Sequence, residues 1–132
     1  MIVDTSAVVA IFRAEPSAAE LSELLLTAER ALMSAATYVE LCCVLDSRTR
    51  PEDRRRLDAV LKAYGVEIIA FTPSQSDIAR DAYRDFGKGS GHRARLNMGD
   101  CFSYALACET GEELLFCGDD FIHTDVQPAW RP

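Results

Sequence analysis

The chain has only two histidines, one tryptophan and no Cys-x-x-Cys pair in its 132 residues. A tetrahedral zinc site draws on such pairs and on histidine, so zinc chemistry is set aside. No apolar run nears the ~20 residues of a membrane-spanning helix. Asp4 also interrupts any apolar leader at the start, so neither a membrane segment nor a secretory signal is expected. Repeats and low-complexity tracts are missing as well. The cysteines are five, Cys42, Cys43, Cys101, Cys108 and Cys117. Their number is odd and they lie in apolar segments, which suits reduced packing residues of a cytoplasmic protein better than a disulfide framework.

Positive charge is also scarce. The chain carries 14 Lys and Arg against 21 acids, a net charge of −7, which taken alone speaks against a nucleic-acid partner. The distribution changes that reading. Residues 48–95 hold 11 of the basic residues against 7 acids, a local +4, and the remainder holds 3 against 14, or −11. A basic middle between acidic ends fits a polyanion surface beside an acidic pocket. Most of these arginines, Arg54-Arg55-Arg56 included, are read as solvated helix faces.

What is present is enough apolar residue, 48%, for one domain with a real core. The whole of residues 1–132 is read as that single domain. Ile2-Val3 runs into Asp4 as a buried strand ends in a carboxylate. Thr5 and Ser6 then offer a helix cap, and Ala7 to Phe12 continues as a buried helix. Helices follow over residues 18–28 and 36–47, with a short strand at 31–34 between them. Pro51-Glu52-Asp53 starts another helix, which Gly65 ends. Residues 66–71 form the clearest strand of the middle, and Thr72-Pro73 opens a helix reaching Phe86. Gly87 to His92 reads as a flexible loop. Gly99-Asp100 opens the next helix, which Gly111 stops. Leu114 to Cys117 is a fourth strand, and residues 124–130 are a candidate fifth, an edge strand limited by Pro128. Strands alternating with helices predict an α/β fold with a mainly parallel sheet covered on both faces.

The chemistry sits where apolar segments meet acids. Asp4 ends the first strand. Glu40 lies inside an apolar helix, Asp100 stands at the start of one, and Asp119 and Asp120 follow the fourth strand. Parallel strands would bring Asp4 and Asp119 or Asp120 to one sheet edge, which a helix starting at Asp100 also reaches. Singly, each acid is as well explained by a cap, an exposed helix position or a turn. Together they would repel unless a cation sat among them. Oxygen donors without a Cys or His set select Mg²⁺, with Mn²⁺ as a substitute, and such a site suits hydrolysis of a phosphodiester.

An ordered set of segments now carries a family resemblance: Met1-Ile2-Val3-Asp4-Thr5-Ser6-Ala7, Tyr38-Val39-Glu40, residues 96–107 from Leu96-Asn97-Met98-Gly99-Asp100 onward, and Leu114-Leu115-Phe116 followed by Gly118-Asp119-Asp120-Phe121. The chain resembles PIN-domain ribonucleases, specifically VapC-type toxins of type II toxin–antitoxin pairs, over essentially its whole length. The resemblance implies a three-layer α/β/α fold with a five-stranded parallel sheet. It implies a Mg²⁺- or Mn²⁺-dependent endoribonuclease acting on tRNA or rRNA, a homodimer, and a cognate antitoxin. Asp4 and Asp100 match the principal metal ligands, Glu40 the third catalytic acid, and Asn97 the polar residue before the helical acid. Thr5 and Ser6 support Asp4. The fourth acid departs from the family pattern, because Phe116 and Gly118 stand where Thr or Ser and then Asp are usual. Asp119 is taken as the fourth catalytic acid, with Asp120 in support, and the sequence alone leaves the choice between them open.

Lys88, His92, Arg93 and Arg95 put potential cations just before Asn97 and Asp100, where they suit an RNA backbone. His92 and His123 are read as non-catalytic. Two rival readings differ in class. An Asp4-nucleophile phosphohydrolase would want a second Asp two residues on, where Ser6 stands. A binding module that merely keeps the fold would explain the irregular fourth acid.

Overall fold

All the strands end on the same side of the sheet in the computed structural model, which describes residues 1–46 and 51–131 and, of these, the side chains of 1–45 and 55–131. Strand β1 (Ile2–Val3) leads to helices α1 (Thr5–Phe12) and α2 (Ala18–Thr27), then β2 (Ala31–Ser34). Helices α3 (Ala35–Asp46) and α4 (Pro51–Ala63) carry the chain to β3 (Val66–Ile69). Helices α5 (Pro73–Phe86) and α6 (Met98–Thr110) return it to β4 (Leu114–Leu115). The sheet order is β3-β2-β1-β4, every pair parallel.

The strands alternate sides as a pleat requires. Ile2, Leu32 and Leu114 point into the layer of α5 and α6, with Leu96, Ala105 and Leu106. Val3, Ala31, Met33 and Leu115 point into the opposite layer, with Val8, Leu21, Leu41 and Leu57. The result is the three-layer α/β/α arrangement with β1 in the interior of the sheet.

Among the described residues the sheet has four strands, against the five expected. The segment 124–130 does reach the edge of β4, but only as an isolated bridge between Leu114 and Pro128. Proline has no N–H to give to a ladder, so pairing cannot propagate past it. Leu114 N still donates to Gln127 O at 2.8 Å and Ala129 N to Leu114 O at 2.9 Å.

The segment between α5 and α6 also differs from a free loop. Lys88 N donates to Leu96 O and Leu96 N to Phe86 O, both at 2.9 Å, and Ala94 and Leu96 are fully buried. The basic side chains therefore project from a pinned strap. Of the Arg54-Arg55-Arg56 run, Arg54 lies outside the described side chains. Arg55 and Arg56 are exposed, and the Arg56 guanidinium stacks 4.7 Å above the Phe12 ring.

Candidate active site

The C-terminal edge of a parallel sheet is where open α/β folds place their ligands. Asp4 sits there, one residue beyond β1 and only 2% exposed. It is itself the N-cap of α1, accepting from Ser6 N at 2.9 Å, so Thr5 and Ser6 fall inside the first turn and do not cap it. Ser6 Oγ also donates to Asp4 Oδ2 at 2.6 Å, and Ser103 Oγ donates to Asp4 Oδ1 at 2.7 Å. Cap and candidate functional carboxylate are thus the same group.

Asp100 comes from α6. Asn97 caps this helix in a reciprocal box: Asn97 Oδ1 accepts from Asp100 N at 3.1 Å, and Asp100 Oδ2 accepts from Asn97 N at 2.6 Å. The box starts α6 at Met98 and fixes the Asp100 side chain in the first turn. Glu40 reaches the same place from α3. Its Oε2 accepts from Thr5 Oγ1 at 2.7 Å, and its carboxylate lies over Gly99, where a side-chain methyl would collide with it. Glycine is required there for close approach, not for an unusual backbone angle.

These acids also feel one another's charge. Burial pushes the Asp100 carboxyl up to about 7, and the charges of Asp4, Asp120 and Glu40 add to the rise against the pull of the Asn97 amide. Burial likewise raises Glu40, with Asp4 adding to it and the Thr5 hydroxyl opposing. The charges of Asp4, Asp120 and Glu40 thus bear on Asp100; Asp119 and Asp120 are both exposed, and of the two it is Asp120 whose charge adds to the rise. Among the described residues, no three such side chains yet stand close enough to hold one ion; Asp4, Glu40 and Asp100 are each held by a different donor. The set is nevertheless all oxygen and mutually repelling, with Asp4 and Asp100 buried, and that chemistry fits a hard divalent cation.

The basic residues stand on the strap that leads into the Asn97 cap. Lys88, Arg93 and Arg95 are exposed, and His92 is half-buried against the Phe86 ring. His92 Nδ1 accepts from Ala94 N at 3.2 Å, so that nitrogen braces the strap. Arg95 adopts a left-handed backbone, φ 52°, two residues before the Asn97 cap.

Two residues at the site escaped the sequence reading. Ser103 touches Asp4 directly, and Thr37 touches Ser103 at 3.1 Å. The available signal was position: Ser103 lies one turn after Asp100 in an otherwise apolar helix, and a hydroxyl there needs a partner.

The sequence matches the family model of the PIN domain over residues 1–127. It is 54% identical over 129 residues to ribonuclease VapC42 of Mycobacterium tuberculosis, with 98% of each chain covered. It is 49% identical over 129 residues to ribonuclease VapC28 of the same species, covering 98% of this chain and 97% of that one. Ribonuclease VapC30, also from M. tuberculosis, is 45% identical over 132 residues, with both chains covered in full. Among solved structures, the M. tuberculosis toxin VapC20, described as cleaving the sarcin-ricin loop, superposes with a TM-score of 0.71 at 18% identity, covering 96% of this chain and 98% of that one.

Proposed function

The chain belongs to the PIN domain family, and from that premise we propose that it is a divalent-metal-dependent endoribonuclease, the toxin of a toxin–antitoxin pair. The observation that carries the reading is the burial of Asp4 and Asp100 beside the C-terminal sheet edge, where burial first, and then the charges of Asp4, Asp120 and Glu40, push Asp100 up. Asp4 and Asp100 would hold the cation, Mg²⁺ or Mn²⁺, with Glu40 as the third acid and Asp120 as the fourth in place of Asp119. When bound, such a cation supplies positive charge opposite the scissile phosphate and acidifies water. The chain's own work is to hold the acids still. Ser6 and Ser103 fix Asp4, Asn97 fixes Asp100, and Thr5 fixes Glu40. Lys88, His92, Arg93 and Arg95 bind the backbone of the incoming RNA, tRNA or rRNA by resemblance. An Asp4-nucleophile reading fits poorly, because Ser6 stands where it would want a second Asp, and the Ser6 side chain is spent on Asp4 itself.

We read the homodimer implied by the resemblance onto an exposed apolar surface. Met98 is 69% and Val39 60% exposed, and both adjoin the acids in sequence. Met98 and Tyr83 line an apolar groove of about 300 Å³ with Phe71 and Phe102. A second copy would cover this strip, and Met98→Glu should shift the protein toward monomer in sedimentation. The antitoxin is sought as a co-purifying partner that silences the nuclease. No described helix is long and apolar enough to cross a membrane, in keeping with the cytoplasmic setting of such a pair.

The decisive experiment is cleavage of purified tRNA and ribosomal RNA with Mg²⁺ or Mn²⁺, with cut sites read by sequencing RNA ends. Cleavage is expected to stop with EDTA and with Asp4→Asn or Asp100→Asn. Cleavage that persists in any of these would remove the metal mechanism.

A further inference from the structure

The Asp4 carboxylate can be read oxygen by oxygen. Each carboxylate oxygen offers two lone pairs. Oδ2 takes two donors, Ser6 N at 2.9 Å and Ser6 Oγ at 2.6 Å, and is full. Oδ1 takes one, Ser103 Oγ at 2.7 Å, and keeps a lone pair. The Ser103 hydroxyl has a single proton, spent on Asp4, so in its 3.1 Å contact with Thr37 the donor is Thr37. A directed chain results, from Thr37 on α3 through Ser103 on α6 to Asp4. Both hydroxyls are sealed from water, Thr37 at 0% and Ser103 at 1% exposure. A second chain arrives from the other side, with Cys117 N donating to Ser6 Oγ at 3.0 Å and Ser6 donating on to Oδ2.

We propose that Ser103, backed by Thr37, is a positioning residue that orients Asp4 so that one lone pair of Oδ1 alone faces the divalent cation. The assignment rests on the reading of Asp4 as a metal ligand. Hydroxyls behind a ligand fix its direction and tune its affinity, and losing such a partner typically weakens metal binding by ~10–100-fold. Ser103 occupies a buried helical position where alanine would pack as well; the hydroxyl itself has Asp4 and Thr37 as its partners.

The test is Mn²⁺ calorimetry on the full chain, with RNA cleavage kinetics beside it. Ser103→Ala should weaken Mn²⁺ binding about tenfold or more and lower kcat with little change in KM for RNA, while thermal stability holds. Ser103→Thr, which keeps the hydroxyl, should restore binding. Thr37→Val should show a smaller loss, and the double variant should be no worse than Ser103→Ala, because Thr37 acts through Ser103. If Ser103→Ala does not fold, Thr37→Val against wild type carries the same comparison. Wild-type Mn²⁺ affinity in Ser103→Ala, or in Thr37→Val when that variant must stand in for it, overturns the assignment, and so do losses that simply add. The underlying reading fails differently: Mn²⁺ binding then survives Asp4→Asn, or is absent from the wild type.

Discussion

At the scale of single residues, Asp4 shows why sequence alone could pair two roles but not choose. A carboxylate after an apolar strand is both a good cap and a good ligand, and here the cap interaction fills one oxygen while the other takes only the Ser103 hydroxyl and keeps a lone pair. Asp4, Glu40 and Asp100 were legible because acids at the margins of apolar runs are costly unless used. Ser103 and Thr37 were not, because a small hydroxyl residue in a helix looks like packing until its partner is known. Gly99 lies between these cases. Gly99→Ala introduces no backbone strain but places a methyl into the Glu40 carboxylate. The fold should survive, and cleavage should fall by roughly a hundredfold, as displacements near 1 Å at a catalytic group do. A variant that cleaves like wild type would mean that Glu40 need not hold its place. Asp100 supplies a second prediction. In the metal-free fold it keeps its proton up to about 7, against an ordinary 3.8. The folded state then binds more protons than the unfolded one through that window, so its contribution is present at low pH and lost as pH rises. EDTA-treated wild type should lose melting temperature between about pH 4 and pH 7 more steeply than Asp100→Asn, and Mn²⁺ should remove the difference. Parallel profiles for the two proteins would count against the burial of a shared charge.

Among the elements, helix periodicity and breakers locate the described α-helices and the strands β1 to β4 within a few residues, since Pro, Gly and capping residues mark their ends in the sequence. Two features resisted. The fifth strand reduces to one bridge because Pro128 cannot donate. The start of α6 was placed at Gly99, two residues past its cap, although Asn97-x-x-Asp100 has the spacing of a capping box. That box makes the helix start and the placement of the Asp100 carboxylate one structure. Asn97→Ala should therefore lower stability by about 1 kcal/mol and depress cleavage at saturating RNA, whereas Thr72→Ala, at the cap of α5, should lower stability alike and leave cleavage nearly intact. Equal effects of the two caps on kcat would show that Asn97 contributes only helix stability.

Across the whole molecule the question is how an acidic protein, net −7, approaches a polyanion. Long-range attraction cannot do it, since the average field is repulsive and decays over ~8 Å at physiological ionic strength. Local contact can. Lys88, Arg93 and Arg95 are exposed on a strap pinned at both ends, so their charges are presented without the ordering entropy of a free loop. Arg95 even tolerates a left-handed backbone, a conformation that usually costs a non-glycine residue about 1 kcal/mol or more. Arg95→Gly should then raise thermal stability slightly while weakening RNA binding, a signature of a residue kept for contact and not for folding. If the strap supplies the phosphate contacts, each one lost should flatten the salt dependence of binding to single-stranded RNA by ~0.7 in log–log slope. Replacing Lys88, Arg93 and Arg95 together by alanine should flatten it by about 2 and leave Mn²⁺ affinity within twofold of wild type. An unchanged slope would place the RNA on another face of the molecule. A slope that falls together with Mn²⁺ affinity would mean that the strap shapes the acidic edge itself, because the strap runs directly into the Asn97 cap and any shift in one is carried to the other.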